Sequence, residues 1–355
     1  MNKHLKVYHK SDVLGLTKIR RFETKLGECV QTLLNPNNIE DSLQNTSARY
    51  IVVGVAEDIG IRANYGNAGA STAWNAFLTS FLNIQSNDFF SGEEVLILGC
   101  FNFQDLADVI EAAAHSDDEK IDAYRHAVNL IDDEVEQLIQ IITQNRKLPI
   151  VIGGGHNNAY PCLKGAAKGW HKSGVIPFAQ INAINLDAHT NYRPLEGRHS
   201  GNAFRYAEED GYLEKYFVVG IHENYIQQNV WLDIVNNPFI DCVTYEDIFL
   251  LEKRSFEQAV NMATEFTDDT LVGVELDLDS IENTLCSTQT PVGLTALHAR
   301  QFLNYVVMDS QPAYLHICEG AAKMADGSTK TTTGKLISYL VSDFVKAMQE
   351  TYQNS

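Results

Sequence analysis

Eight short aliphatic runs recur along the chain, at Tyr50–Ala56, Glu94–Gly99, Leu148–Gly153, Ile181–Asp187, Tyr216–Ile221, Phe239–Thr244, Leu271–Asp277 and Ala313–Cys318. Several are continuous rather than alternating, as in Ile51-Val52-Val53 and Val151-Ile152. Strands buried on both faces read this way, because neither face offers a solvent side for polar residues. Helical patterns lie between the runs. The clearest is Asp118–Arg146, where Ile121, Tyr124, Val128, Ile131, Val135, Leu138 and Ile142 recur at three- and four-residue steps. Others cover Asn157–Lys172, Ser255–Phe266, Thr295–Val307 and Gly334–Met348. Alternation of this kind predicts an α/β fold: three α/β/α layers around a mostly parallel sheet of about eight strands. Ligands are then expected beyond the carboxyl ends of the strands. With no internal repeat and no low-complexity linker, one domain is expected over residues 49–350. Residues 1–48 form an N-terminal segment of unassigned structure, and Glu350–Ser355 is expected to fray.

Three polar clusters stand where aliphatic runs end: Gly153-Gly154-Gly155-His156, Asn185-Leu186-Asp187-Ala188-His189-Thr190-Asn191, and Glu275-Leu276-Asp277-Leu278-Asp279. Residues two apart in an extended segment point the same way, so Asp187 pairs with His189 and Asp277 with Asp279. The glycines let the backbone turn tightly before His156 and lift its ring over the sheet edge. Two imidazoles and three carboxylates make a mixed N/O donor set suited to a divalent ion such as Mn²⁺. Two such ions about 3.5–4 Å apart would generate a hydrolytic nucleophile from water. Each cluster alone is a common strand-end or turn motif. The inference rests on all three occurring together at strand ends.

Composition narrows the partners. A formal charge of −19, from 46 acidic and 27 basic residues, argues against nucleic acid and anionic membrane surfaces. No apolar run approaches the roughly 18 residues of a membrane span, and the first residues carry no signal-like apolar core. The six cysteines, Cys29, Cys100, Cys162, Cys242, Cys286 and Cys318, form no close pair. They are expected as reduced thiols of a cytoplasmic protein. A homo-oligomer is compatible with the sequence but not fixed by it.

In these motifs the chain resembles the ureohydrolase (arginase/agmatinase/formimidoylglutamase) family over roughly residues 50–350. That family's pattern runs Gly-Gly-x-His, Asp-Ala-His-x-Asp, Ser-x-Asp-x-Asp-x-x-Asp-Pro, Thr-Pro-x-Gly-Leu, and a Glu after a late strand. Here stand Gly154-Gly155-His156, Asp187-Ala188-His189-Thr190-Asn191, Glu275-Leu276-Asp277-Leu278-Asp279, Thr290-Pro291-Val292-Gly293-Leu294 and Glu319. Glu57-Asp58-Ile59-Gly60, Asn64–Ala70 and His199-Ser200-Gly201-Asn202-Ala203-Phe204 are similar to the formimidoylglutamase branch. The resemblance implies an arginase-like fold and a manganese site of one or two ions held by His156, Asp187, His189, Asp277 and Asp279. It implies hydrolysis of a C–N bond in a small amidino or guanidino substrate, with Glu319 as the carboxylate that contacts it. His199 is the candidate proton shuttle, since imidazole titrates near neutrality and the leaving amine needs a proton. Arg62, Arg193 and Arg205 flank the motifs as candidate partners for substrate carboxylates.

The chain also departs from the pattern. Asn191 stands in place of a ligand carboxylate, Glu275 in place of Ser, and Ser280-Ile281-Glu282-Asn283 in place of the segment with Asp-Pro. An amide oxygen can coordinate but lacks the charge that holds a divalent ion. The alternative to a hydrolase is therefore a catalytically silent binding or regulatory relative that holds one ion or none.

Overall fold

The computed structural model describes residues 3–354; Met1, Asn2 and Ser355 lie outside the described residues. The strands are β1 (Leu5–Val7), β2 (Tyr50–Ala56), β3 (Val95–Asn102), β4 (Leu148–Ile152), β5 (Ile181–Leu186), β6 (Leu213–Ile221), β7 (Ile240–Thr244), β8 (Val272–Asp277) and β9 (Pro312–Cys318). They form one sheet in the order β1-β3-β2-β4-β9-β8-β5-β6-β7. All neighbours pair in parallel except β1, which runs antiparallel to β3. The eight expected strands are present with ends moved by up to three residues. β1 was not expected: three residues of Leu-Lys-Val are too few to show a period. Only pairing with Phe101, Cys100 and Gly99 defines it.

Helices cover both faces, giving the three-layer α/β/α architecture. On one face Ala73–Phe81, Phe256–Phe266, Ala296–Asp309 and Thr333–Asn354 pack with Ile150, Ile152, Val274 and Leu315. On the other, Asp117–Gln144, Ala159–Lys172 and Ala203–Glu209 pack with Ile51, Val53, Val151 and Ala183. Side chains such as Phe302, Phe344, Phe204 and Phe217 are almost fully buried, each stabilising the fold by about 1.5–3 kcal/mol. The last helix runs Thr333–Asn354.

Sheet order matters most for the site. β4, β9, β8 and β5 are the four adjacent central strands. The chain passes from β4 to β5 by crossing over the positions that β8 and β9 later fill. His156, Asp187, Asp277 and Glu319, more than 160 residues apart at the extremes, therefore leave the sheet at the same edge.

A buried ion pair secures the loop beyond β5. Asp132, on the helix Asp117–Gln144, accepts from Arg198 Nε at 2.9 Å and Nη2 at 3.2 Å. Arg198 also donates to the Asn157 carbonyl at 2.8 Å and to Asn202 Oδ1 at 3.0 Å, and stacks on Tyr160 and Tyr206. One guanidinium thus ties the β5 loop to the turn that carries His156. Asp132→Ala strands that cation in the core. Urea unfolding is expected to show a loss of about 3–5 kcal/mol, and a loss below about 1 kcal/mol would mean the pair does not hold the loop.

Candidate metal centre

The turn after β4 is built on two left-handed glycines, Gly153 (φ 89°) and Gly154 (φ 75°). A Cβ on Gly154 would lie 2.5 Å from Asn158 Nδ2 and 2.9 Å from Glu57 Oε1, so no larger residue fits. Glu57 is the buried anchor of this turn. Its carboxylate accepts from the Gly155 and Gly60 amides at 2.9 and 3.0 Å and from Asn158 Nδ2 at 2.7 Å. His156 then enters a 3₁₀ turn, His156–Asn158, with its amide donating to Glu319 Oε1 at 2.7 Å.

β5 and β8 end alike. Asp187 Oδ1 accepts from the His189 amide, and Asp277 Oδ1 from the Asp279 amide, both at 2.7 Å. Each aspartate caps its own loop and leaves Oδ2 facing His156 Nδ1, at 3.2 Å from Asp187 and 2.9 Å from Asp277. The ligand atoms of His156, Asp187 and Asp277 all lie within 4.8 Å of one another, and the three residues are buried. His189 Nδ1 stands 3.5 Å from Asp187 Oδ1. Asp279 accepts from Ser287 Oγ and the Thr288 amide at 3.1 and 3.2 Å. The residues expected as metal ligands therefore meet in one place.

The crowding of carboxylates decides the electrostatics. Burial, reinforced by the Asp187 and Asp279 carboxylates, pushes Asp277 up to about 8. Burial together with Asp279 and Asp277 drives Glu319 well above the ordinary carboxylate range. Asp187 is buried too, but His156 and His189 outweigh the burial and hold it low. Burial works against a charged His189, yet Asp187 raises it to about 9. Glu319 Oε2 is buried with no hydrogen-bond partner among the described residues. Hard oxygen donors, an imidazole nitrogen, crowded negative charge and an orphaned carboxylate oxygen fit a divalent cation of the Mn²⁺ type.

Asn191 sits among these groups in the left-handed region (φ 45°), which Asn and Asp tolerate better than most residues. Its Nδ2 lies 2.6 Å from Asp187 Oδ2, to which it donates, and 2.6 Å from His156 Nδ1. The amide thus relieves one buried carboxylate where a carboxylate would add another.

A cavity of about 630 Å³ opens over the cluster, lined by His189, Asn191, Asp277, Asp279 and Glu319 and by polar residues including Asn64, Gln227 and Gln289. Of the three arginines, Arg193 lines it, whereas Arg62 pairs with Glu111 and Arg205 with Asp233. His199 does not line the cavity. Its ring is fully buried, with Nδ1 accepting from the Gly201 amide at 3.0 Å and Nε2 3.2 Å from Glu196 Oε1. Burial, with Arg193 adding to it, lowers its pKa to about 4.

Comparison with known proteins agrees with this geometry. The sequence pattern of the arginase family matches residues 48–342. The chain belongs to the arginase family. Among curated relatives, formimidoylglutamase of Streptococcus pyogenes is 23% identical over 238 residues, covering 65% of this chain and 65% of the relative. The match thus spans just under two thirds of that protein's length. Among solved structures, formimidoylglutamase from Bacillus subtilis has a TM-score of 0.70 at 15% identity, covering 94% of each chain. Formiminoglutamase from Trypanosoma cruzi with Mn²⁺ has a TM-score of 0.68 at 18% identity, covering 92% of this chain and 98% of that one. At these identities the structures establish the arginase-type fold.

Sequence reasoning quoted Glu57 and Glu275 in their motifs but gave neither a structural role, and it did not single out Tyr314 or His316. Tyr314 donates to Glu275 Oε1 at 2.6 Å, and His316 Nδ1 lies 2.7 Å from Oε2. A signal existed: Tyr314, His316 and Cys318 alternate along one face of an otherwise apolar strand, with His316 in register with Glu275.

The His199 environment yields a pH prediction. The fold holds a neutral ring, and the unfolded chain takes up a proton near pH 6.5. Stability should therefore fall as pH drops from about 6.5 toward 4, by about 3 kcal/mol from this group. His199→Gln, which keeps an acceptor for Gly201, should flatten that part of the profile in urea titrations; parallel profiles would mean the ring does not titrate there.

Proposed function

We propose that this arginase-family chain is a manganese-dependent hydrolase of a C–N bond in a small linear amidine, nearest in kind to formimidoylglutamase and acting in the cytoplasm. The observation that carries the reading is the meeting of His156, Asp187 and Asp277 beneath a cavity lined by Asp279, Glu319 and Arg193. The six free cysteines suit a reducing compartment, and no helix among the described residues is long and apolar enough to cross a membrane.

In this reading His156, Asp187, His189, Asp277 and Asp279 hold the cation. Bound there, manganese would supply Lewis acidity toward a C=N carbon and would lower the pKa of water toward neutrality. Glu319 receives the substrate's amidinium. One of its oxygens already accepts from the His156 amide, and the other is free to form a charge-assisted bond. Ionised Glu319 and a cationic substrate stabilise each other. Arg193, a third exposed and held by Asn64 and Glu196, presents positive charge to a substrate carboxylate. A substrate with an amidine at one end and a carboxylate at the other is thereby fixed in one direction. His199 serves the site as a loop anchor, through its bond to the Gly201 amide.

A screen of formimino and guanidino compounds with Mn²⁺ should find release of formamide, ammonia or urea, strongest for a formimino amino acid. His156→Ala and Asp277→Ala should each lower kcat/KM by about 10³-fold or more. Failure of every compound, together with no manganese uptake, would remove the hydrolase reading.

Asn191→Asp should raise Mn²⁺ affinity by about tenfold, since it restores a charged donor. It should also lower the melting temperature of the metal-free protein, because it adds like charge beside Asp187. Unchanged affinity in calorimetric titration would mean that residue 191 lies outside the binding set.

A further inference from the structure

Asn191 and Glu275 touch opposite nitrogens of the same ring. Asn191 Nδ2 lies 2.6 Å from His156 Nδ1, and Glu275 Oε2 lies 3.3 Å from His156 Nε2, an ion-pair distance without hydrogen-bond geometry. Glu275 is fully buried within β8, two residues before Asp277 and on the same face. A carboxylate there carries a desolvation penalty of several kcal/mol unless it is well partnered. It is: it receives Tyr314 Oη at 2.6 Å and faces His316 Nδ1 at 2.7 Å. None of these groups lines the cavity, so substrate contact does not explain them.

Relative to the family pattern the two departures are complementary. That pattern has a carboxylate at 191 and a hydroxyl at 275, whereas this chain has an amide at 191 and a carboxylate at 275. The formal charge around His156 is unchanged; it has moved from the cavity side of the ring to the core side. A carboxylate beside the far nitrogen of a metal-binding imidazole orients the ring, leaves the near nitrogen to ligate and raises its basicity. Here the near nitrogen is Nδ1, which faces Asp187 and Asp277.

We propose that Glu275 is a positioning residue that supplies, through His156, the negative charge Asn191 withholds from the cation. The proposal rests on the reading that His156, Asp187 and Asp277 hold a divalent ion. It makes Glu275 and Asn191 an exchangeable pair: a carboxylate at either position holds the ion, carboxylates at both hold it more tightly, and neither position filled leaves a weak site.

Mn²⁺ titration calorimetry on the wild type, Glu275→Gln, Asn191→Asp and the double variant tests this. Gln keeps the size of Glu and can still accept from Tyr314. Glu275→Gln should weaken Mn²⁺ binding by about 10–100-fold, and adding Asn191→Asp to it should bring affinity back to within a few-fold of wild type. Melting of the metal-free proteins separates packing from charge, since a purely structural Glu275 would lower the melting temperature without this rescue. If Glu275→Gln binds Mn²⁺ like the wild type, or Asn191→Asp does not rescue it, the proposal is wrong while the metal reading stands. If the wild type takes up no Mn²⁺, the metal reading itself falls and the proposal falls with it.

Discussion

Asp187, Asp277, Asp279 and Glu319 are all at most 3% exposed and stand at the ends of three adjacent strands, so the fold concentrates like charge where water cannot screen it. Interaction between unit charges a few ångströms apart strengthens several-fold as the effective dielectric falls from that of water. The protein's own answers are local. His156 faces two of the aspartates, the loop amides of His189 and Asp279 each bond one carboxylate oxygen, and Asn191 donates to Asp187. These leave Glu319 Oε2 without a partner and Asp277 held toward its neutral form. An arrangement so incompletely compensated within the chain is one that a divalent cation and a cationic substrate would complete.

Sheet topology makes the concentration unavoidable. Because β9 and β8 lie between β4 and β5, the loops leaving all four strands share one small area. The Gly153-Gly154 turn, with Glu57 bonded beneath it, directs His156 across the tops of the other strands. Arg198 then locks the β5 loop to the same turn through Asn157. Precision at the site thus depends on groups that take no part in binding, and whose loss is expected first as instability.

How much of this could be read from the residues follows from the kind of signal each leaves. β2 to β9 contain short aliphatic runs, several of them continuous, and Asp117–Gln144 has a long helical period, so both survive in one dimension. β1 exists only by pairing with β3 and has no period of its own. The convergence of His156 with Asp187 and Asp277 was legible because all three sit at strand ends in a parallel sheet. The setting of His199 was not legible. A histidine in a Gly- and Ser-containing loop reads as available for proton transfer, but its direction is fixed by bonds to Gly201 and Glu196 that form only when the loop folds. Among Arg62, Arg193 and Arg205, sequence offered no means of choosing. All three are paired with carboxylates, Arg62 with Glu111, Arg205 with Asp233 and Arg193 with Glu196, and only the position of Arg193 at the cavity wall separates it from the others.

Asn191 brings the stability of the fold and the chemistry of the site into opposition. Its left-handed backbone suits Asn and Asp alike, so local conformation does not choose between them. The choice is electrostatic. An aspartate would face Asp187 Oδ2 at the distance where the amide now donates, and without a cation that contact is repulsive. An amide makes the same contact favourable and gives up a charged donor. Glu275, held by Tyr314 and His316 on the far side of His156, shows that the chain tolerates a buried carboxylate where donors surround it. Negative charge near His156 is thus retained where the core can hydrogen-bond it and removed where only a cation could neutralise it.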